Sequence, residues 1–259
     1  MSNTAKIILA AAAASAIALA AVAAPPKVVA HRGFWKTEGS AQNSIASLVK
    51  ADSVGAFGSE FDVWLTADSN LVVNHNRVFR GVDMPLCRGV EARAVRLDNG
   101  ENLPSLDQYL ATAAQLPRMR AVLELKTEGD TARENLACRM VSQMLRRYGL
   151  ESRTDFISFS INACRTFHRL EPGIPVFYLG GDIGPDDLHA DGLAGGDYSW
   201  RTIQKNPQWI DRAHALGMEI NVWTVDDPEV MRQLIDMGAD YITTNRPDLL
   251  QTVIAESAR

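Results

Sequence analysis

The chain has 259 residues, and its 46% hydrophobic and 22% charged content is enough to build a sizeable core. Twenty-six Lys and Arg against 31 Asp and Glu give a formal charge of −5, with no basic block, which argues against nucleic acid as the main partner. Cys87, Cys138 and Cys164 are too scattered for a zinc site; their odd number leaves at least one unpaired, and they read as small buried thiols with at most one disulfide.

Residues 1–6 carry one positive charge, Lys6, and residues 7–24 carry none, are rich in Ala and end in Ala21-Val22-Ala23 before Pro25-Pro26. That is the pattern of a secretory signal over 1–23, and no Cys follows it that would take a lipid. The expectation is an exported, periplasmic protein. An uncleaved anchor is the alternative, since the apolar stretch is near the lower limit for a span. The remaining 24–259 suit one large domain.

Short apolar runs then alternate with helical periodicity. Strands are expected at 28–31, 60–65, 71–75, 120–126, 156–159, 175–178, 218–224 and 241–244, with a weaker one at 192–197. Helices are expected at 44–53, 106–116, 131–148, 162–170, 207–216, 228–237 and 247–256. Ser105 with Gln108 three residues on reads as a capping box. Asn206-Pro207 and Asp227-Pro228 each put a capping side chain before a proline suited to the first helical turn. Gly180-Gly181 and Gly195-Gly196 read as turns. Repeated strand–helix units indicate an α/β fold, a single (β/α)8 TIM barrel, with an insertion after the third strand at about 76–103. That segment shows no clear strand or helix and carries Arg77, Arg80, Arg88, Arg93 and Arg96. Following a strand's C-terminal end, it should overhang the barrel mouth.

The most informative run is Gly58-Ser-Glu-Phe-Asp-Val-Trp-Leu65. Alternation puts Phe61, Val63 and Leu65 on one face, and Glu60, Asp62 and Trp64 on the other. A barrel strand has no watery face, so two acids directed inward cost several kcal/mol unless a positive charge meets them. Glu124 and Lys126, with Leu123 and Leu125 on the opposite face, repeat the pattern. His31 and Arg32 end the first strand, His75 the third, and Asn221 and Trp223 lie on a later one. These ends are where barrel enzymes gather their active sites. Glu60, Asp62 and Glu124 form an all-oxygen set suited to Mg²⁺ or Ca²⁺, with zinc on His31 or His75 the alternative. Three carboxylates, one dication, Arg32 and Lys126 leave about +1, which would welcome a phosphodiester monoanion. Two histidines could divide general base and general acid roles. His168, His189 and His214 read as surface or packing residues, and no Gly-x-Ser-x-Gly elbow supports serine chemistry.

Together, His31-Arg32-Gly33, Glu60-Phe-Asp62-Val, His75, Leu103-Pro-Ser-Leu106, Glu124-Leu-Lys126, Val222-Trp223-Thr224 and Ile242-Thr-Thr-Asn-Arg-Pro247 resemble the glycerophosphodiester phosphodiesterase family. The resemblance runs from Val28 to about Leu250. It implies a β/α barrel with an insertion after the third strand, and one divalent ion on Glu60, Asp62 and Glu124. It further implies His31 and His75 as the catalytic pair, Arg32 and Lys126 as phosphate contacts, and Trp223 as a pocket wall. The implied reaction converts glycerophosphodiesters to glycerol 3-phosphate and an alcohol, with water or the neighbouring glycerol hydroxyl as nucleophile. Rivals are a cyclising phospholipase of related barrel type and a non-catalytic periplasmic phosphoglycerol-binding protein. One departure stands out. The family usually has Glu-Asn-Thr where this chain has Gln42-Asn43-Ser44, which puts metal affinity and head-group preference in question.

Overall fold

The computed structural model describes residues 24–127 and 129–257; the expected signal over 1–23 lies outside the described residues. In chain order the elements are β1 (Lys27–Ala30), α1 (Ile45–Ser53), β2 (Gly58–Leu65), β3 (Leu71–Val73), β4 (Val78–Phe79), β5 (Val82–Asp83), α2 (Gly89–Ala94), α3 (Leu106–Ala114), β6 (Arg120–Leu125), α4 (Thr131–Tyr148), β7 (Thr154–Ser158), α5 (Ile161–Leu170), β8 (Val176–Tyr178), α6 (Pro185–Ala190), β9 (Gly195–Ser199), α7 (Trp200–Lys205), α8 (Trp209–Ala215), β10 (Glu219–Trp223), α9 (Pro228–Asp236), β11 (Tyr241–Thr244) and α10 (Pro247–Ser257). Among the described residues, no helix is long and apolar enough to cross a membrane.

Eight parallel strands close into a ring, in the order β1-β2-β6-β7-β8-β9-β10-β11, with β11 pairing back onto β1. The expected alternation decides which side chains go where. Phe61, Val63, Leu123 and Leu125 point outward into the layer between sheet and helices, with Leu48, Tyr109, Leu110, Val141 and Phe167. The rings of Phe61 and Tyr109 are 4.2 Å apart at their centroids. Val29, Val122, Ile157, Phe177 and Tyr241 fill the inside. Register then places Asp62 level with Glu124, both facing inward, one pair above Glu60 and Val122.

Several helices carry their own start signals in sequence. Ser105 Oγ accepts from Gln108 N while Gln108 Oε1 accepts from Ser105 N, completing the capping box of α3. Asp227 caps α9 through Glu229 N and Val230 N, with Pro228 at its first turn. Asn206 does not cap the next helix as expected. It ends α7, its amide donating to Thr202 O, and α8 starts after Gln208.

Three further expectations need correcting. The run at 71–75 is a strand, but β3 pairs antiparallel with β2, Leu71 opposite Leu65 and Val73 opposite Val63. It is the returning arm of a hairpin outside the ring, and the ring takes the weakly signalled β9 instead. Gly195 and Gly196 are thus strand residues. A Cβ on Gly195 would lie 1.8 Å from Glu219 O and 2.8 Å from the Phe177 ring, so close approach of backbone and ring demands glycine here. The insertion, expected to be irregular, folds into the β4–β5 hairpin and α2 over a small core of its own, in which Trp64, Val72, Met84, Ala92, Leu97 and Leu103 pack together. Its arginines serve that fold: Arg77 pairs with Asp83, Arg80 with Asp98 and Arg88 with Asp68, while Arg93 and Arg96 donate to carbonyls of Gly89 and Gly100. Cys138 and Cys164 are buried free thiols, and Cys87 is a half-buried one.

Candidate active site

The β1–α1 turn builds the first wall. Arg32 and Gly33 both have left-handed backbone, at φ 57° and 73°. A Cβ on Gly33 would sit 2.6 Å from the Ser47 carbonyl carbon, so only glycine lets the chain turn this tightly. The turn aims the Arg32 N–H at Glu60 Oε2, at 2.7 Å. Asn43, also left-handed at φ 59°, closes the same loop onto β2. Its Nδ2 donates to Asp62 Oδ2 at 2.8 Å, and its Oδ1 accepts from Asp62 N at 3.2 Å.

Glu60, Asp62 and Glu124 are all buried, and one oxygen from each lies within 4.8 Å of the others. Two cations partly compensate them. Lys126 Nζ is 2.7 Å from Glu124 Oε1 and 2.9 Å from Asp62 Oδ1, and Arg32 Nε is 3.7 Å from Asp62 Oδ2. Glu60 Oε1 has no hydrogen-bond partner among the described residues. The proton balance follows from these contacts. Burial pushes Asp62 upward, but Lys126, His75, Arg32 and the Asn43 bond together hold it below the usual carboxylate range. Burial and the charge of Asp62 drive Glu124 up to about 8. Burial, Asp62 and Glu124 raise Glu60 well above its ordinary value. Three converging carboxylates with one bare buried oxygen fit a hard dication: the oxygens are those such an ion prefers, and its charge would replace the missing partner. These residues could hold a metal ion.

The imidazoles flank this cluster. His31 Nδ1 lies 2.8 Å from Asn245 Oδ1, which also accepts from Trp35 Nε1 at 3.0 Å. Asn245 Nδ2 donates to Asp226 Oδ2, itself ion-paired with Lys36, so the amide cannot be turned round. His31 must therefore carry its proton on Nδ1, leaving Nε2 bare, 4.0 Å from Glu60 Oε2. Burial, with the nearby Arg32 charge, lowers His31 to about 4, and the ring is neutral at pH 7. His75 arrives from above on the β2–β3 hairpin. Its carbonyl accepts from Trp64 Nε1 at 3.2 Å, and its Nδ1 pairs with Asn76 Oδ1 at 2.8 Å. Burial lowers His75 too, opposed by the Asp62 charge.

A cavity of about 240 Å³ opens over these groups at the C-terminal ends of the strands. His31, Arg32, Glu60, His75, Glu124 and Lys126 line one side; Ile157, Leu179, Phe159 and Trp223 line the other. Trp223 is fixed by a 2.8 Å bond from Nε1 to Asp197 O, and its ring meets Phe159 edge-on with centroids 5.7 Å apart. Asp197 sits at the floor, 1% exposed and pushed up to about 8 by burial. The structure thus brings His31, Arg32, Glu60, His75, Glu124, Lys126 and Trp223 to one mouth, with Asp62 buried against Lys126 and Arg32, while Asn221 lies deeper, bonded to Thr243. Asn43, Asn245, Asp226 and Phe159 were not foreseen as part of it. The Gln42-Asn43-Ser44 and Ile242-Thr-Thr-Asn-Arg-Pro247 motifs contain Asn43 and Asn245 but gave neither a role.

A closed β/α barrel with an acidic, ion-ready cluster, two cationic side chains and two imidazoles at its C-terminal mouth defines a phosphate-ester enzyme class. Comparison narrows it. Residues 31–249 match the model of the glycerophosphoryl diester phosphodiesterase family. A crystal structure of a glycerophosphodiester phosphodiesterase from Parabacteroides distasonis is 47% identical, with a TM-score of 0.89 over 91% of this chain and 99% of its own. The glycerophosphodiester phosphodiesterase of Caldanaerobacter subterraneus subsp. tengcongensis is 26% identical over 244 residues, 88% of this chain and 97% of that protein. An Oleispira antarctica phosphodiesterase, solved in complex with the product sn-glycerol-3-phosphate, shares the fold at a TM-score of 0.75 and 24% identity, over 89% of this chain and 97% of its own. The chain belongs to the glycerophosphoryl diester phosphodiesterase family and is an enzyme of that kind.

Proposed function

We propose that this enzyme hydrolyses glycerophosphodiesters to glycerol 3-phosphate and an alcohol, using one divalent ion, Mg²⁺ or Ca²⁺, and the pair His31 and His75. The observation that carries the reading is the bare Glu60 Oε1 in a buried three-carboxylate cluster, flanked by two imidazoles whose outer nitrogens are both tied. Glu60, Asp62 and Glu124 would hold the ion, which would supply Lewis-acid stabilisation of negative charge developing on the phosphoryl oxygens. Arg32 and Lys126 grip the phosphate, and Trp223 lines the wall beside it. The neutral His31 accepts the proton of the attacking hydroxyl or water at Nε2 as the new P–O bond forms. His75 gives a proton to the departing alkoxide as the old P–O bond breaks. Asp62 favours the protonated form of His75 against the effect of burial.

Gln42 accepts from Arg32 Nη1 at 2.6 Å and lines no part of the 240 Å³ cavity. A neutral amide there orients the guanidinium without neutralising it, which keeps its charge for the phosphate. The charge and cleavage pattern of residues 1–23 supports export to the periplasm. Purified protein supplied with several glycerophosphodiesters and Mg²⁺ or Ca²⁺ should release glycerol 3-phosphate, and chelator should abolish release. Binding without turnover at saturating ion would refute the catalytic reading.

A further inference from the structure

A second cavity of about 140 Å³ lies between the β1–α1 loop and the insertion. His75 lines both cavities, which therefore lie on either side of this residue. The second cavity is lined by the carboxamides of Gln42, Asn43, Asn74 and Asn76, by Asp98 and by Phe79, among others. Bonds within the protein use Gln42 Oε1, Asn74 Nδ2 and Asn76 Oδ1. Gln42 Nε2, Asn76 Nδ2 and Asn74 Oδ1 make no hydrogen bond among the described residues, which leaves both donors and an acceptor. Hydroxyl groups, which donate and accept, match such a mixture; an ammonium, which only donates, and a quaternary ammonium such as choline's, which does neither, do not.

The features that could hold a cation are already taken. The carboxylate of Asp98 is ion-paired with Arg80. The same guanidinium stands 5.5 Å from the centroid of the Phe79 ring, so that ring already has its cation. We infer that this cavity receives the departing alcohol, and that it selects a neutral polyhydroxy alcohol over one bearing an ammonium group. The inference rests on the catalytic reading above, in which the larger cavity holds the glycerophosphoryl part and His75 protonates the leaving oxygen. An alcohol protonated by His75 leaves beside the residue that also walls the second cavity.

The test compares glycerophosphoglycerol with glycerophosphocholine, each with Mg²⁺ or Ca²⁺, reading glycerol 3-phosphate. The wild-type enzyme should favour glycerophosphoglycerol in kcat/KM by at least about tenfold, the scale on which pockets separate substrates by one group. Arg80→Asn uncovers Asp98 and the Phe79 face, and Asn tolerates the left-handed backbone at this exposed position, φ 50°. It should move the ratio toward choline by about fivefold, the worth of one surface charge pair. Equal preference or a choline preference in the wild type overturns the inference, as does an unchanged ratio in folded Arg80→Asn. Absence of glycerol 3-phosphate from both diesters would instead overturn the catalytic reading.

Discussion

The clearest consequence of the crowded cluster is that a residue needed for the ion should destabilise the ion-free protein. Consider Glu60→Gln, which keeps the shape and an oxygen to accept from Arg32 N but removes one charge. Two unit charges 4.8 Å apart repel by about 3.5 kcal/mol at an effective dielectric of 20. Burial and the neighbouring Asp62 and Glu124 charges raise Glu60, which favours a protonated carboxyl that relieves this repulsion. Holding a proton at pH 7 on a carboxyl with an ordinary value of 4.5 costs at most about 3.4 kcal/mol. The two routes agree on a ceiling of about 3.5 kcal/mol, and a relief of about 1–3 kcal/mol raises the melting temperature of a domain this size by roughly 2–12 °C. In chelator, Glu60→Gln should therefore melt above the wild type. With ion present the order should reverse. An ion at a hundred times its Kd stabilises the wild type by about 2.7 kcal/mol, or roughly 5–11 °C, and the variant should lose most of that gain. Thermal unfolding of both proteins, with chelator and across an Mg²⁺ or Ca²⁺ titration, measures each part. A variant that melts lower than wild type in chelator, or that keeps the full ion-induced rise, would refute the reasoning.

Other outcomes follow from the same contacts. His31→Ala and His75→Ala should each lower kcat by about 10²–10⁴ with the ion still bound, and full turnover in both would remove the acid–base assignment. Asn245→Leu frees the ring of His31 from its fixed proton position, and should lower kcat about a hundredfold with KM little changed. Equal loss in kcat and in melting temperature would show that Asn245 only packs. In chelator, unfolding should depend on pH through Glu60 and Glu124, whose folded values are raised. Up to about pH 6.5 the lowered His31 and His75 oppose this, but between about 6.5 and 8 the raised carboxyls alone hold protons that the unfolded chain has lost, so stability should fall as pH rises through that window, by up to about 1.4 kcal/mol per pH unit per group. Saturating ion should flatten the slope, and a slope of opposite sign in chelator would contradict the raised values.

Much of this site was legible because charge inside a barrel leaves a mark in strand alternation. Glu60 and Asp62 interrupt an otherwise apolar period, Glu124 and Lys126 do so again, and parallel register brings the two runs level without further instruction. The residues that orient them leave no such mark. Asn43 meets Asp62 across 19 positions, and Asn245 meets His31 across 214. An Asn at the end of a strand looks alike whether it ends a turn or fixes an imidazole, and only the closed ring decides. β9 was faint for a related reason. Its Gly195 and Gly196 read as turn residues, although packing against Phe177 and Glu219 is what excludes a larger side chain.

His75 shows a different limit. Alternation marks 71–75 as a strand and the histidine as its end, but not which way that strand runs. The antiparallel pairing means that His75 is carried by a hairpin extending beyond the ring, not by a ring strand. Its backbone is held by Trp64 Nε1, and Trp64 belongs to the insertion's small core with Val72, Met84 and Leu103. The two imidazoles therefore differ in what fixes them: His31 by the ring through Asn245, His75 by the insertion. A change in the insertion that loosened Trp64 would displace His75 and reshape the second cavity, leaving the carboxylates and His31 in place. On the proposed mechanism, that division would let leaving-group chemistry and ion binding be altered separately within one barrel.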